Sequence, residues 1–354
     1  MPSVNNAQEP HADPPQRNRR RAIVLSVLGV LLLVLAAGSW YVYRGLTVPV
    51  QQEAPTVEVQ VSAGQSVRSV AAELHSRGLI RSARLLEWYA RVTGQTGNIQ
   101  SGYYALSAAD SARSILQRLT SGAVIDRSLV VTFPEGWTIQ QISERLDARG
   151  IVEQQQFAQN AVMQQGYRDL EVLGDLQDEQ DLQGYLFPDS YRFEPDSNAR
   201  SVVRRMVNRL AQNLPHEWQQ TLAEQGRTLH EVLTLASIVQ AEALEDDVSE
   251  VAGVFWNRLR SGWRLESDAT VNFALGTSKR QPTFADTYVE HPYNTYRFAG
   301  LPPGPIGNPG REAIEASLDP PDSDYFFFLH KNNGDIVLSR TFSEHLAAKA
   351  RYLD

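Results

Sequence analysis

Glu242 is the residue in this sequence whose type and setting point most directly to chemistry. In Leu235-Ala236-Ser237-Ile238-Val239-Gln240-Ala241-Glu242-Ala243 it follows Leu235 by seven residues, Ile238 by four and Val239 by three, which puts its carboxyl group on the apolar stripe of a helix. Desolvation there favours the neutral form and raises the pKa, the property a general acid needs near neutral pH. The same placement also suits a buried ion pair with Arg258 or Arg264, or a helix end emerging before Glu245-Asp246-Asp247.

Two further segments add context. Ser267-Asp268-Ala269-Thr270 reads as the start of a short helix, with Asp268 taken alone as a plain N-cap. His291-Pro292-Tyr293-Asn294-Thr295-Tyr296 runs into a Gly/Pro-rich stretch over 300–310. Ring-locked residues make such a loop long but stiff, suited to presenting tyrosine faces and amides to a polar, ring-shaped ligand such as a sugar.

Other chemistries are excluded. The absence of cysteine removes disulfides, thiolate metal sites and thiol nucleophiles. His230-Glu231 begins a zinc-protease pattern, but Thr234 stands where the second histidine is required. There is no G-x-S-x-G elbow and no Walker lysine loop. A net charge of -8 argues against nucleic acid as a partner.

The elements that must carry these residues are legible in outline. Ala22 to Tyr43 is an uncharged run of 22 residues, where about 20 suffice to cross a bilayer. Arg17, Arg19, Arg20 and Arg21 precede it, so the positive-inside rule keeps residues 1–21 in the cytoplasm and sends the rest outward, with Trp40, Tyr41 and Tyr43 at the outer interface. Retention as an anchor is expected over signal-peptide cleavage near Ala36-Ala37-Gly38, because apolar residues continue beyond that point.

After a linker over 44–55, Val59 to Ile80 and Val131 to Val152 match at a constant offset of 72, and a fainter copy at an offset of 45 pairs Ser66 with Ser111. Each copy reads as a strand, a Ser or Thr cap, an amphipathic helix and a closing glycine. Beyond Leu182, helices are expected over 201–214, 217–225, 229–243 and 248–260, followed by a hairpin turning at Asn333-Gly334 and a last helix capped by Ser343. The expected fold class is α+β.

Five segments carry a family resemblance: Phe133-Pro134-Glu135-Gly136-Trp137-Thr138, Gly184-Tyr185-Leu186-Phe187-Pro188-Asp189, the LASIVQAEA run at 235–243, Val254-Phe255-Trp256-Asn257-Arg258-Leu259, and Tyr293-Asn294-Thr295-Tyr296 through Gly300-Leu301-Pro302-Pro303-Gly304. In this order they resemble the endolytic murein transglycosylases, the YceG-like family. The resemblance implies a LysM-like module over 56–125 and a catalytic domain over 126–354 with its core at 182–354.

It also implies a lytic transglycosylase that cuts the bond between N-acetylmuramic acid and N-acetylglucosamine inside glycan strands, leaving 1,6-anhydro ends and terminating nascent strands. No cofactor or metal is implied. The implied partners are peptidoglycan strands, the inner membrane and peptidoglycan synthases. The family form of the helix motif has two glutamates two positions apart; here Gln240 takes the first, leaving Glu242 as the catalytic candidate. Tyr293, Asn294 and Thr295 are the candidates for positioning the sugar, with Asp268 and Gln240 as weaker ones. Two other classes stay open: a noncatalytic glycan-binding protein, and a hydrolase using Asp268 as a second acid.

Overall fold

The computed structural model describes residues 16–353 apart from Glu245, and the chain divides into two compact units between Arg127 and Ser128. The tail expected at the amino terminus lies outside the described residues as far as residue 15. The first helix, α1 (Gln16–Thr47), is longer than the expected span. Nothing in its flanking arginines breaks a helix, and it stops just before Pro49, which disfavours helical conformation in the residue ahead of it. Its stretch Ile23–Thr47 is apolar and long enough to cross a membrane, and its large apolar side chains from Ile23 to Leu35 are exposed. Its last turn sends Leu46 into the core of the first unit.

That unit continues with β1 (Thr56–Val61), α2 (Val67–Ser76), α3 (Ala83–Val92), β2 (Gly102–Ser107) and α4 (Ala112–Ser121). β1 pairs antiparallel with β2, and Val59 and Val61 bury against the helices together with Tyr104 and Leu106. The second unit opens with β3 (Leu129–Thr132), α5 (Ile139–Ala148), α6 (Gln154–Asn160) and β4 (Ser190–Phe193), with β3 and β4 again antiparallel. The repeat at an offset of 72 is therefore the opening half of two β-α-α-β units.

The capping chemistry repeats with it. Ser66 accepts from Ser69 N–H, Ser111 from Ser114 N–H and Thr138 from Gln141 N–H, and Gly78, Gly122 and Gly150 end the three turns at φ of 71°, 72° and 64°. The middle copy differs from the other two. Its strand, β2, closes the first unit and opens none of its own.

The remaining elements are α7 (Ala199–Asn213), α8 (Trp218–Gln225), α9 (Leu229–Glu242), α10 (Val248–Arg260), α11 (Asp268–Leu275), α12 (Arg311–Leu318), the hairpin β5 (Phe327–His330) and β6 (Ile336–Ser339), and α13 (Phe342–Tyr352). Thr228 and Glu231 form a capping box that starts α9, and every residue from Val232 to Val239 is buried. α9 is thus the central helix of this core, apolar on all sides and not along one stripe. The last helix, α13, is capped by Thr341 and not by Ser343 as expected: Thr341 has Glu344 three residues on to complete a capping box, whereas Ser343 has Leu346.

Asn308 joins two of the sequence motifs to the Gly/Pro loop. Its Oδ1 accepts the N–H groups of Gly184 and Leu186, both at 2.9 Å, and its Nδ2 donates to Trp137 O at 2.8 Å. The backbones approach so closely beside it that a Cβ on Gly307 would lie 2.4 Å from Gly136 O. Gly307→Ala is therefore expected to cost about 1–3 kcal/mol, as overpacking against an immobile backbone does. The measurement is the melting temperature, and an unchanged value would show that these segments are free to separate.

Candidate active site

Glu242 is the last residue of α9, where the buried helix begins to reach the surface. Its Oε1 accepts two hydrogen bonds from the start of α11, one from Ser267 Oγ at 2.5 Å and one from Ala269 N–H at 3.2 Å. Ser267 occupies the N-cap position of α11, yet its side chain bonds none of that helix's amides. Glu242 caps α11 in its place. Its Oε2 makes no hydrogen bond among the described residues, so the two oxygens differ: one is pinned, and the other is available to carry a proton.

Burial raises the pKa of Glu242 above the usual carboxylate range. Nearby Asp268 adds to the rise, while the bonds from Ser267 and Ala269 and the proximity of His330 oppose it. The partial negative charge at the end of α9 also acts against ionisation. Among the described residues no ion pair neutralises the group. Arg258 donates to Phe326 O at 2.6 Å and Leu265 O at 2.5 Å, and Arg264 donates to Tyr296 O at 2.6 Å. Of the three sequence readings of Glu242, the paired one is thereby removed.

The Gly/Pro loop is laced along one face of α9. His230 Nε2 meets Pro303 O at 2.9 Å, Ser237 Oγ accepts Ile306 N–H at 2.9 Å, and Gln240 Oε1 accepts Gly310 N–H at 2.8 Å. A carbonyl oxygen only accepts, so His230 carries its proton on Nε2. In neutral His230 the Nδ1 atom then accepts from Tyr185 Oη at 3.2 Å. Gln240 is a loop clasp in this arrangement, and a carboxylate could accept the same bond.

The other candidates fall into two groups. Asn294 is fully buried, with Nδ2 donating to Thr287 O at 3.0 Å and Val289 O at 2.7 Å. Thr295 is also buried; its Oγ1 accepts Ser267 N–H at 3.0 Å and shares a 2.8 Å bond with Thr270 Oγ1. These two residues hold the framework around Ser267. Asp268 and Tyr293 reach the surface in part. Asp268 Oδ1 accepts from Tyr296 Oη at 2.8 Å, and the Tyr293 ring packs 4.8 Å from Phe273. Burial raises the hydroxyl pKa of Tyr293 to about 12, so it remains a donor at neutral pH.

The structure thus brings Glu242, Asp268 and Thr295 together around Ser267 and sets Gln240 and Asn294 to bracing loops. Ser267 and Tyr296 were not among the sequence candidates. Their signals lay within the Ser-Asp-Ala-Thr and Tyr-Asn-Thr-Tyr segments, which were read for other residues.

The raised pKa has a consequence for stability. A carboxyl group whose pKa is higher folded than unfolded holds its extra proton only in the folded state between the two values, so its contribution is lost as pH rises through that window. Glutamine does not titrate. The melting temperature of Glu242→Gln minus that of the wild type is therefore expected to grow as pH rises from below about 4.3, the ordinary glutamate value, toward neutral. A difference that stays flat with pH would contradict the desolvated placement.

Comparison with known proteins agrees with this architecture. Residues 59–351 match the YceG-like family. An endolytic murein transglycosylase of Bacillus subtilis (strain 168) is 31% identical over 338 residues, covering 90% of this chain and 91% of the relative. A protein of the same description from Streptococcus pneumoniae (strain D39) is 29% identical over 340 residues, covering 87% of this chain and 61% of that longer protein. A crystal structure of a yceG-like protein from Listeria monocytogenes superposes with a TM-score of 0.56 at 31% identity, covering 84% of this chain and all of the other. The family match extends from within β1 to α13 and includes the Glu242 region, and the chain belongs to the YceG-like family.

Proposed function

We propose that this protein is a membrane-anchored endolytic lytic transglycosylase of peptidoglycan, with Glu242 as its single acid and base. The observation that carries the reading is the asymmetric carboxyl group, desolvated, pinned through Oε1 and open at Oε2. The names of the Bacillus and Streptococcus relatives support the substrate.

In the reaction, the proton on Oε2 passes to the oxygen bridging N-acetylmuramic acid and N-acetylglucosamine as the bond to the anomeric carbon breaks. The carboxylate so formed takes the proton from the muramyl 6-hydroxyl, whose oxygen closes the 1,6-anhydro ring. The nucleophile belongs to the substrate, so a second catalytic carboxylate is not required, and its intramolecular attack benefits from high effective concentration. Asp268, held by Tyr296, contributes charge beside the acid, and Tyr293 offers a ring and a hydroxyl to the sugar. The β-α-α-β unit within 56–125 acts as a LysM-like module that engages the glycan.

Glu242→Gln is expected to keep the fold and lose at least about 100-fold in cleavage, the usual scale for losing acid–base action. Wild-type digests should carry 1,6-anhydromuramyl ends whose mass is unchanged in heavy-oxygen water, measured by mass spectrometry. Labelled reducing ends would instead indicate a hydrolase, and a wild type that binds strands without cutting them would indicate a glycan-binding protein.

The anchor reading follows from the apolar stretch Ile23–Thr47 and the arginines ahead of it. It places the amino terminus in the cytoplasm and the remainder outside the inner membrane. The carboxyl end should be open to protease only from the outer side of intact membranes; recovery of a soluble form beginning near Gly38 would refute retention.

A further inference from the structure

Asp247 and His330 form a pair outside the reacting groups, and it holds the chain just after the catalytic residue. Asp247 precedes α10, five residues beyond Glu242, and is 4% exposed. Its Oδ1 accepts the N–H of Leu244 at 2.8 Å, and its own N–H returns to Leu244 O at 3.2 Å. Its Oδ2 lies 2.7 Å from His330 Nε2, the last residue of β5. A carboxylate only accepts, so His330 donates through Nε2.

His330 is itself braced. Its ring meets Phe328 edge-on at 5.8 Å, and Phe328 in turn packs edge-on against Phe255 of α10 at 5.7 Å. A continuous path therefore runs from the α10–β5 packing through His330 and Asp247 to Leu244, two residues past Glu242.

Glu242 needs such a support. It is the terminal helical residue, and the backbone turns to an extended conformation at Ala243, with φ of -79° and ψ of 154°. Helix ends lack part of their internal hydrogen bonding and fray. Acid–base catalysis, in contrast, tolerates displacements of only about 0.5 Å.

Resting on the assignment of Glu242 as the acid, we infer that His330 is a positioning residue for catalysis, tethering the end of the catalytic helix through its hydrogen bond to buried Asp247. It touches no substrate in this role. His330 also lies close enough to Glu242 to oppose the rise in its pKa, a secondary effect of the same placement. Because the bond joins a donor to a buried carboxylate, its loss leaves that carboxylate short of a partner and free to pull Leu244 out of register.

The test uses the full-length chain and measures kcat, KM and melting temperature for four proteins. His330→Ala is expected to lower kcat by about 10-fold or more, given that misplacement by about 1 Å can cost 100-fold, while KM stays within about twofold of the wild type. His330→Gln carries an amide N–H close to where Nε2–H lies and should restore kcat to within about threefold. His330→Asn is similarly polar but too short to reach Asp247, and should behave like His330→Ala even if the alanine variant folds poorly. Wild-type kcat in the alanine and asparagine variants, equal impairment in the glutamine variant, or a rise in KM with kcat unchanged would each overturn the tether while leaving Glu242 as the acid. Absence of cleavage by the wild type would overturn the reading of Glu242 itself, and the tether with it.

Discussion

The two hydrogen bonds that Glu242 Oε1 accepts from Ser267 Oγ and Ala269 N–H join the end of α9 to the start of α11, and the site exists only while they hold. They put one carboxyl group between helix ends of opposite polarity. The end of α9 and the surrounding apolar core resist its ionisation; the start of α11 favours it. Burial prevails, and the pKa rises. Much of the nearby structure sets the separation of these two helix ends. Arg258 ties Leu265, just ahead of Ser267, to Phe326 at the edge of β5, and Thr295 fixes Ser267 from the other side.

How much of this was legible in the sequence depends on range. Signals that act over three or four residues read well: the caps Ser66, Ser111 and Thr138, the glycines at 78, 122 and 150, and the limits of α10 at Val248 and Arg260. Glu242 was visible because a carboxylate closing an apolar run is a local signal, although the run is buried all round and not along one stripe. Asn294 and Thr295 looked like sugar contacts because their polarity is visible in sequence, whereas their burial depends on packing with α11 and the loop before them. The pairing of Asp247 with His330 spans 83 residues and leaves no local mark. Nor does sequence spacing reveal that β2 closes the first unit instead of beginning another.

Gln240 shows how a departure from the family form can be neutral for geometry. The side chain that laces Gly310 to α9 needs one acceptor oxygen, and glutamine has it. Gln240 shares a cavity of about 320 Å³ with Glu135 and Glu312, and Glu135 packs directly against Gly310. A glutamate at 240 would add a third negative charge to that cavity. The neutral amide keeps the clasp and avoids the repulsion.

A group that must donate a proton and then take one back within a single turnover has to be well placed in both states. A symmetric, unanchored carboxyl would rotate as its charge changed. Here Oε1 is an acceptor whether Glu242 is neutral or ionised, so Ser267 and Ala269 hold it throughout, and both bonds strengthen when the charge appears. In the proposed mechanism the proton sits on Oε2 in the acid form, and the same oxygen takes one back as the base. In that mechanism pinning one oxygen lets a single residue act at both stages without rearranging, while the substrate's own 6-hydroxyl, as the nucleophile, removes the need for a second carboxylate.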